Sequence, residues 1–176
     1  MATWAPDLHE YYTSTLSSLY AHDDSLMRNF HTSVLPATTY NMGPQTVCLK
    51  HRDFNNLSFG WCAISALGSY DPQKGGHLIL WECGLVIEFP PGSTILIPSA
   101  IIAHSNTRVS SGETHYSFTQ YAAGGLFRWV ENKFMKAELY QNSLEGWDRV
   151  LYELKNKTRW RFGLSLLSKY PGKWPM

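Results

Sequence analysis

The sequence predicts a mainly β domain with flanking helices, an α+β fold. Seven short apolar runs lie between about residues 45 and 121, and Gly, Pro, Asn and Ser separate them. Helical spacing of apolar residues occurs on both sides of this segment. Short strands at regular intervals with turns between them are typical of a barrel or sandwich. We therefore expect a β core over about residues 38–122, with helices packed outside it.

The elements follow in order along the chain. Apolar residues near helical spacing predict a first helix over residues 8–22. The stretches PQKGG (72–76) and PPG (90–92) have the composition of turns. The predicted strands are QTVCLK from residue 45, GWCAISAL from 60, HLILWE from 77, GLVIEF from 84, STILIP from 93, AIIAH from 100 and HYSFTQYA from 115.

Two further helices are expected after the β core, over about residues 126–156. Apolar residues form one stripe in 126–140 and another in 144–154. No internal repeat, linker or low-complexity segment divides the 176 residues. The length is that of one domain, so we expect residues 1–176 to form a single domain.

Composition favours an intracellular protein, either nuclear or cytoplasmic, and excludes a membrane protein. The first residues, MATWAPDLHEYY, lack the basic and apolar regions of a signal peptide. The apolar runs are too short to span a bilayer. Cys48, Cys62 and Cys83 lie apart in apolar runs, so we expect buried, reduced thiols.

Charge is unevenly distributed along the chain. Residues 1–126 carry 5 basic and 9 acidic side chains, a sum of −4, and residues 127–176 carry 10 basic and 5 acidic ones, a sum of +5. The stretch KNKTRWR (155–161) interleaves basic residues with Trp160. Such a patch is suited to nucleic acid, and it is equally compatible with a solvated helix end that carries one docked Trp.

The stretch KHRDFNN (50–56) contains a candidate metal-binding pair. Residues two apart on a strand point to the same face, so His51 and Asp53 would aim an imidazole and a carboxylate at one point while Arg52 points away. His104, at the end of a later apolar run, supplies a third candidate ligand. Two His and one carboxylate form the facial triad that holds non-haem Fe(II) and leaves positions open for substrate and oxygen.

Residues 38 to about 132 closely resemble the fungal members of the TET/JBP-type oxygenase domain, which are Fe(II)- and 2-oxoglutarate-dependent dioxygenases. The resemblance implies a double-stranded β-helix (jelly-roll or cupin-like) core. It also implies that His51, Asp53 and His104 bind iron and carry catalysis, with 2-oxoglutarate and O2 as co-substrates. The stretches that carry the resemblance are YNMGPQTVCLKHRDFNNLSFGWCAISALG (40–68), GGHLILWECGLVIEFPPGSTILIPSAIIAHSN (75–106), GETHYSFTQYAAGGLFRWV (112–130) and RWRFGLSLLSK (159–169).

The chain departs from this family where the far carboxylate of 2-oxoglutarate would bind. The family carries Arg there, followed two residues later by a hydroxyl; this chain has His115 and Ser117. Arg is always charged and grips a carboxylate with two bonds, whereas His is charged only below its pKa. Three interpretations remain open: His115 binds 2-oxoglutarate weakly and more tightly at lower pH, Arg108 replaces the missing Arg, or the site has lost 2-oxoglutarate. Asn41, on the strand leading into the core, is a further candidate contact.

Two classes of function therefore remain open. The resemblance implies an oxygenase that hydroxylates a methylated pyrimidine such as 5-methylcytosine, with DNA as a candidate partner and the base flipped into the pocket. A hydroxylase of a small molecule or protein would carry the same triad. The other class is a catalytically impaired barrel that binds a ligand or partner. The residue pattern leaves the substrate and the oligomeric state open.

Overall fold

A computed structural model describes residues 1–168, and Lys169, the last residue of the 159–169 stretch, lies outside this range. Within residues 1–168 the chain forms four helices and seven strands. The helices are α1 (Pro6–His22), α2 (Gly124–Glu131), α3 (Ala137–Ser143) and α4 (Gly146–Ser165). The strands are β1 (Ala37–Asn41), β2 (Cys62–Ser69), β3 (Leu78–Leu80), β4 (Leu85–Ile87), β5 (Thr94–Ile97), β6 (His104–Asn106) and β7 (Thr114–Tyr121).

The chain divides into two compact units. One comprises residues 27–127, and the other comprises residues 1–26 together with the described residues from 128 on. All seven strands belong to the first of these units. The expectation of a mainly β segment flanked by helices, an α+β fold, is confirmed.

The strands form two antiparallel sheets. The larger has the order β1-β7-β2-β5, and the smaller has the order β4-β3-β6. Alternate residues of β2 are buried, as expected for a strand with one face in a core. Residues of both sheets share that core, so the two sheets pack against each other. The core cluster is Cys62, Ile64, Ala66, Tyr70, Leu78, Leu80, Phe89 and Ile97.

Gly68 lets β2 pass unusually close to β7. Its backbone has φ +117°, and a Cβ at this position would lie 2.2 Å from the carbonyl oxygen of Thr114. Gly68 is paired with His115 across the sheet. Only glycine fits this close approach without strain, so Gly68 helps to determine where His115 lies.

Two predicted strands are wrong, and both errors concern the segments that carry the candidate ligands. Residues 46–50 form no strand. Isolated bridges at Gln45 and His51 flank the segment, and Thr46 and Cys48 bond to His115 and Asn106. Residues 100–102 lie in a turn because the amides of Ile101 and Ile102 both donate to the carbonyl of Pro98. His104 therefore begins β6 instead of ending a strand. Apolar runs this short do not separate a buried turn from a buried strand.

In the other unit the first helix is confirmed and the second is not. Helix α1 begins with Pro6 and buries Leu8, Tyr12, Leu16 and Leu19 on one face. The helix expected over 126–140 is broken, because Lys133 and Phe134 have positive φ values of 53° and 59°. The ring of Phe134 stacks on His22 with centroids 3.6 Å apart, a contact that compensates this unusual backbone.

Helix α4 is longer than expected, and KNKTRWR (155–161) lies within it instead of at its end. Trp160 is exposed and not docked, and its ring lies beside Arg161. Within residues 1–168, none of the helices has both the length and the apolar character needed to cross a membrane. Cys62 is buried as expected, whereas Cys48 is half-buried and Cys83 is exposed.

Helix α4 is joined to α1 and α2 through a half-buried carboxylate. Glu131 accepts a 2.7 Å hydrogen bond from the hydroxyl of Tyr11 and a 2.5 Å bond from Nη1 of Arg159. Burial raises the pKa of the Tyr11 hydroxyl, and the hydrogen bond to Glu131 adds to the effect. The pKa of Glu131 is lowered because the bonds from Arg159 and Tyr11 outweigh the opposing effect of burial.

Candidate metal centre

The three sequence-predicted ligands meet at one point. One ligand atom from each of His51, Asp53 and His104 lies within 4.8 Å of the other two. Within residues 1–168 this is the one group of three or more His, Cys, Asp or Glu side chains arranged to hold a metal ion. Nε2 of His51 lies 3.6 Å from Oδ1 of Asp53, and the His51 and His104 rings have centroids 4.4 Å apart.

Backbone hydrogen bonds bring the two histidines together. The amide of His51 donates to the carbonyl of His104 at 3.1 Å, and the amide of His104 donates to the carbonyl of His51 at 2.9 Å. This antiparallel bridge joins an extended segment to the first residue of β6. The amide of Asp53 donates to the carbonyl of Ser99 at 2.9 Å, which fixes the carboxylate next to the pair.

Both imidazoles leave Nε2 available for a metal. Nδ1 of His51 lies 2.7 Å from the carbonyl oxygen of Leu49, and Nδ1 of His104 lies 3.1 Å from that of Ile102. A carbonyl oxygen only accepts, so each Nδ1 carries a proton and each Nε2 of the neutral ring presents a lone pair. Metal-binding histidines usually donate their other N–H to a carbonyl or carboxylate.

Burial supports the neutral form of His104. The side chain is 5% exposed. Burial lowers the pKa of His104, and the charge of His51 acts in the same direction against an opposing hydrogen bond with Ile102. A ligating imidazole must be unprotonated. Two nitrogens and one carboxylate oxygen fit a divalent ion such as Fe(II).

Asn56 holds the carboxylate of Asp53 in place. Its Nδ2 lies 3.3 Å from Oδ2 of Asp53 and 3.1 Å from Oγ of Ser99. The bond to Oδ2 leaves Oδ1 directed towards His51. This contact was not predicted from the sequence. An Asn three residues after a candidate ligand is the only signal that could have suggested it.

A cavity of about 500 Å³ opens next to the three side chains. This volume is within the range of small-molecule sites. His51, Asp53 and His104 all line the cavity, and so do three of the four residues expected to bind the co-substrate, namely Asn41, His115 and Ser117. Arg108 is exposed, and it is not part of the cavity lining.

Asn41 and Ser117 form a linked pair in the cavity wall. They are directly opposite each other on β1 and β7, and Nδ2 of Asn41 donates to Oγ of Ser117 at 2.7 Å. His115 lies two residues before Ser117, so strand alternation places both on the cavity face. Gln120 has the opposite parity and is not among the residues that line the cavity.

His115 is buried and hydrogen-bonded. It is 4% exposed, and its Nδ1 lies 3.0 Å from the carbonyl oxygen of Thr46. The ring of Tyr70 packs edge-on against it at 5.1 Å. Burial lowers the pKa of His115, although the hydrogen bond to Thr46 opposes the shift. Near neutral pH the ring is therefore uncharged, with Nε2 as an acceptor.

The cavity offers no free cation to a carboxylate. Among residues 1–168, the one Lys or Arg that lines it is Arg52, and this guanidinium is bonded to Glu82 and to the carbonyl of Ile101. Arg52 was expected to point away from the ligands; it bonds to Glu82 and Ile101 but also lines the cavity. Glu82, the partner of Arg52, was not predicted from the sequence, since nothing in the stretch WECG marks it as a contact of the metal site.

Neither a protein-family model nor a curated protein sequence matches this chain. Among solved structures, the fold is similar to that of NgTET1 in complex with 5mC DNA, with 18% sequence identity and a TM-score of 0.51. The similarity covers 66% of this chain and 42% of that chain, so this chain spans less than half the length of the other. At this identity the likeness concerns the fold alone. The fold of this protein is therefore TET-like.

Proposed function

We propose that this protein is an Fe(II)- and 2-oxoglutarate-dependent dioxygenase, with His51, Asp53 and His104 as its iron ligands. The observation that carries the proposal is the convergence of these three side chains at a cavity, with both Nε2 atoms available. The proposal includes a double-stranded β-helix core, and the two antiparallel sheets with a shared core support it.

Iron bound at this site would supply the oxidative chemistry, with 2-oxoglutarate and O2 consumed and succinate and CO2 formed. The chain itself would orient the reactants and exclude water. Asn56 would keep the Asp53 carboxylate aimed at the metal. The carbonyls of Leu49 and Ile102 would hold the two imidazoles in the tautomer that binds metal.

Asn41, His115 and Ser117 would receive the far carboxylate of 2-oxoglutarate. Ser117 can donate its hydroxyl proton to a carboxylate, because the bond from Asn41 uses only a lone pair of its oxygen. A neutral His115 presents a lone pair from Nε2 and would repel the carboxylate. Binding would therefore require protonation of His115. Arg108 stays a weaker candidate because it is exposed.

The first-choice substrate is the methyl group of a modified base such as 5-methylcytosine in DNA. The TET-like fold supports this choice, and the similar structure was solved with 5mC DNA. Phe54 follows the ligand Asp53, lines the cavity and is 78% exposed, so its ring can stack on a base. The net charge of +5 in residues 127–176 is suited to a phosphate backbone.

A second candidate function is a binding module without oxygenase activity. Among residues 1–168 no free Lys or Arg lines the cavity, which favours this function, since the family's charged partner for 2-oxoglutarate is missing. In that case the cavity would hold a ligand that needs no cation.

Succinate formation from 2-oxoglutarate distinguishes the two functions. The assay would use added Fe(II) from pH 5.5 to 8, with wild type, His115→Arg and Asp53→Asn, with and without DNA that contains 5-methylcytosine. The dioxygenase predicts turnover in wild type that rises at lower pH, turnover that is less dependent on pH in His115→Arg, and none in Asp53→Asn. Absence of turnover and of retained iron in both wild type and His115→Arg would favour the binding module.

A further inference from the structure

We propose that Arg52 and Glu82 form a positioning pair that holds together the two segments bearing the metal ligands and so sets the affinity for a divalent metal. The first segment comprises residues 51–53, and the second comprises residues 101–104. This inference rests on the proposed metal centre, and it concerns residues that do not themselves touch the metal.

Arg52 reaches from the first segment to the second. It lies between the ligands His51 and Asp53 in the sequence. Its Nε donates to the carbonyl oxygen of Ile101 at 3.0 Å. Its Nη2 donates to Oε1 of Glu82. The guanidinium therefore contacts the second segment directly. It also contacts the Glu82 carboxylate, which is itself bonded to that segment.

Glu82 completes the connection from the turn between β3 and β4. Its Oε2 accepts a 2.7 Å hydrogen bond from the amide of Ala103, the residue immediately before His104. The carboxylate thus uses one oxygen for each segment. The pKa of Glu82 is lowered, because the bonds from Ala103 and Arg52 outweigh the opposing effect of burial. The carboxylate is therefore ionised at neutral pH.

The backbone connections between the two ligand segments leave a positioning role for this pair. The segment before His51 is not part of a strand. Besides the His51–His104 bridge, backbone bonds link Asp53 to Ser99 and Asn106 to Cys48 on either side of it. None of these bonds involves Ile101 or Ala103. The Arg52–Glu82 pair adds side-chain contacts to these two residues, next to the ligand His104. Metal affinity depends on such outer contacts, whose loss typically costs 10–100-fold.

The exposure of the pair separates this role from a purely structural one. The side chains of Arg52 and Glu82 are 40% and 39% exposed, and exposed ion pairs contribute little to folding. We therefore expect their removal to weaken metal binding while leaving thermal stability nearly unchanged. If the pair served general stability instead, its removal would lower thermal stability and leave metal binding nearly unchanged.

The test compares Arg52→Met, Glu82→Gln and the double variant with Lys74→Met. The control removes the exposed Lys74–Asp71 ion pair, which has a 3.0 Å separation and lies in the same unit. Each protein is titrated with Co(II), and the visible absorption of the bound ion is recorded. Thermal unfolding is measured without metal.

We expect Arg52→Met to raise the Kd for Co(II) by roughly 10-fold or more and to alter the absorption spectrum, with a smaller effect for Glu82→Gln. The double variant should be little worse than Arg52→Met, because both residues act as one unit. Lys74→Met should bind as wild type does. Wild-type Kd and spectrum in both single variants would overturn the proposal. If wild type and His104→Ala are equally unable to bind Co(II), the proposed metal centre fails first, and the positioning pair fails with it.

Discussion

Binding of 2-oxoglutarate should take up a proton at His115. Nδ1 of this side chain is committed to the carbonyl of Thr46, so the only atom left for the ligand is Nε2. When the ring is neutral, Nε2 is an acceptor and cannot bond a carboxylate. When the ring is protonated, Nε2 becomes a charged donor. The affinity therefore depends on the fraction of His115 that is protonated.

The magnitude follows from the direction of the pKa shift. Burial places the pKa of His115 below its usual value of 6.5, so the ring is mostly neutral throughout pH 7–8. The protonated fraction then falls tenfold for each pH unit, and the Kd for 2-oxoglutarate should rise about tenfold from pH 7 to pH 8, or about 1.4 kcal/mol.

The groups around His115 do not supply a competing charge. Tyr70 packs against it, and burial raises the pKa of that hydroxyl, so it is uncharged in this range. Gly68 faces it from β2. Glu113 is close in sequence, but its carboxylate accepts bonds from the amides of Asp71 and Ser110. The metal ligands share the cavity, and saturation with metal holds their protonation constant.

The assay is calorimetric titration of Ni(II)-saturated protein with 2-oxoglutarate at several pH values. Repeating it in two buffers with different ionisation enthalpies gives the number of protons taken up, which should approach one at pH 8. His115→Gln should remove the pH dependence. So should 2-oxobutanoate, which lacks the far carboxylate. A Kd that stays constant between pH 7 and 8 in wild type, or a tenfold slope retained in His115→Gln, would refute the reasoning.

Three further predictions follow from the contacts. Gly68→Ala should lower the free energy of unfolding by at least about 1–3 kcal/mol, because its Cβ would meet the neighbouring strand at a strained φ; an unchanged urea midpoint would contradict this. Tyr11→Phe should cost about 1–2 kcal/mol, because it removes a hydrogen bond to the carboxylate of Glu131; thermal unfolding measures the loss, and an unchanged Tm would show that the bond contributes nothing. Asn56→Ala should raise the Kd for Co(II) by about 10–100-fold, because the carboxylate of Asp53 loses its support; wild-type affinity would mean that the backbone alone orients it.

The candidate site was more predictable from the sequence than the backbone that carries it. Alternation along an extended segment was enough to place His51 and Asp53 on one face, and this needs no regular strand. The run AIIAH was assigned to a strand because apolar content indicates burial, whereas its first residues form a turn after Pro98 in which Ile101 is 54% exposed. The break in the second helix depends on a tertiary contact, the stacking of Phe134 on His22. Local spacing cannot reveal such a contact.

Contacts between distant segments were the least predictable part of the site. Asn41 and Ser117 are 76 residues apart and meet only because β1 and β7 pair in one particular register. Glu82 approaches Arg52 through the placement of a turn in the other sheet. The charge state of His115 likewise depends on its burial, which a sequence pattern does not quantify. These features follow from topology and packing.

Anaerobic titration with Fe(II) tests the central claim most directly. The measurement is the number of Fe(II) ions bound per chain and the Kd, for wild type, Asp53→Ala and His104→Ala, with folding of each variant checked by circular dichroism. The account predicts one Fe(II) per wild-type chain and a loss of affinity in both folded variants that exceeds the 10–100-fold typical of outer contacts. Failure of wild type to bind Fe(II), or equal binding in the three proteins, would contradict it.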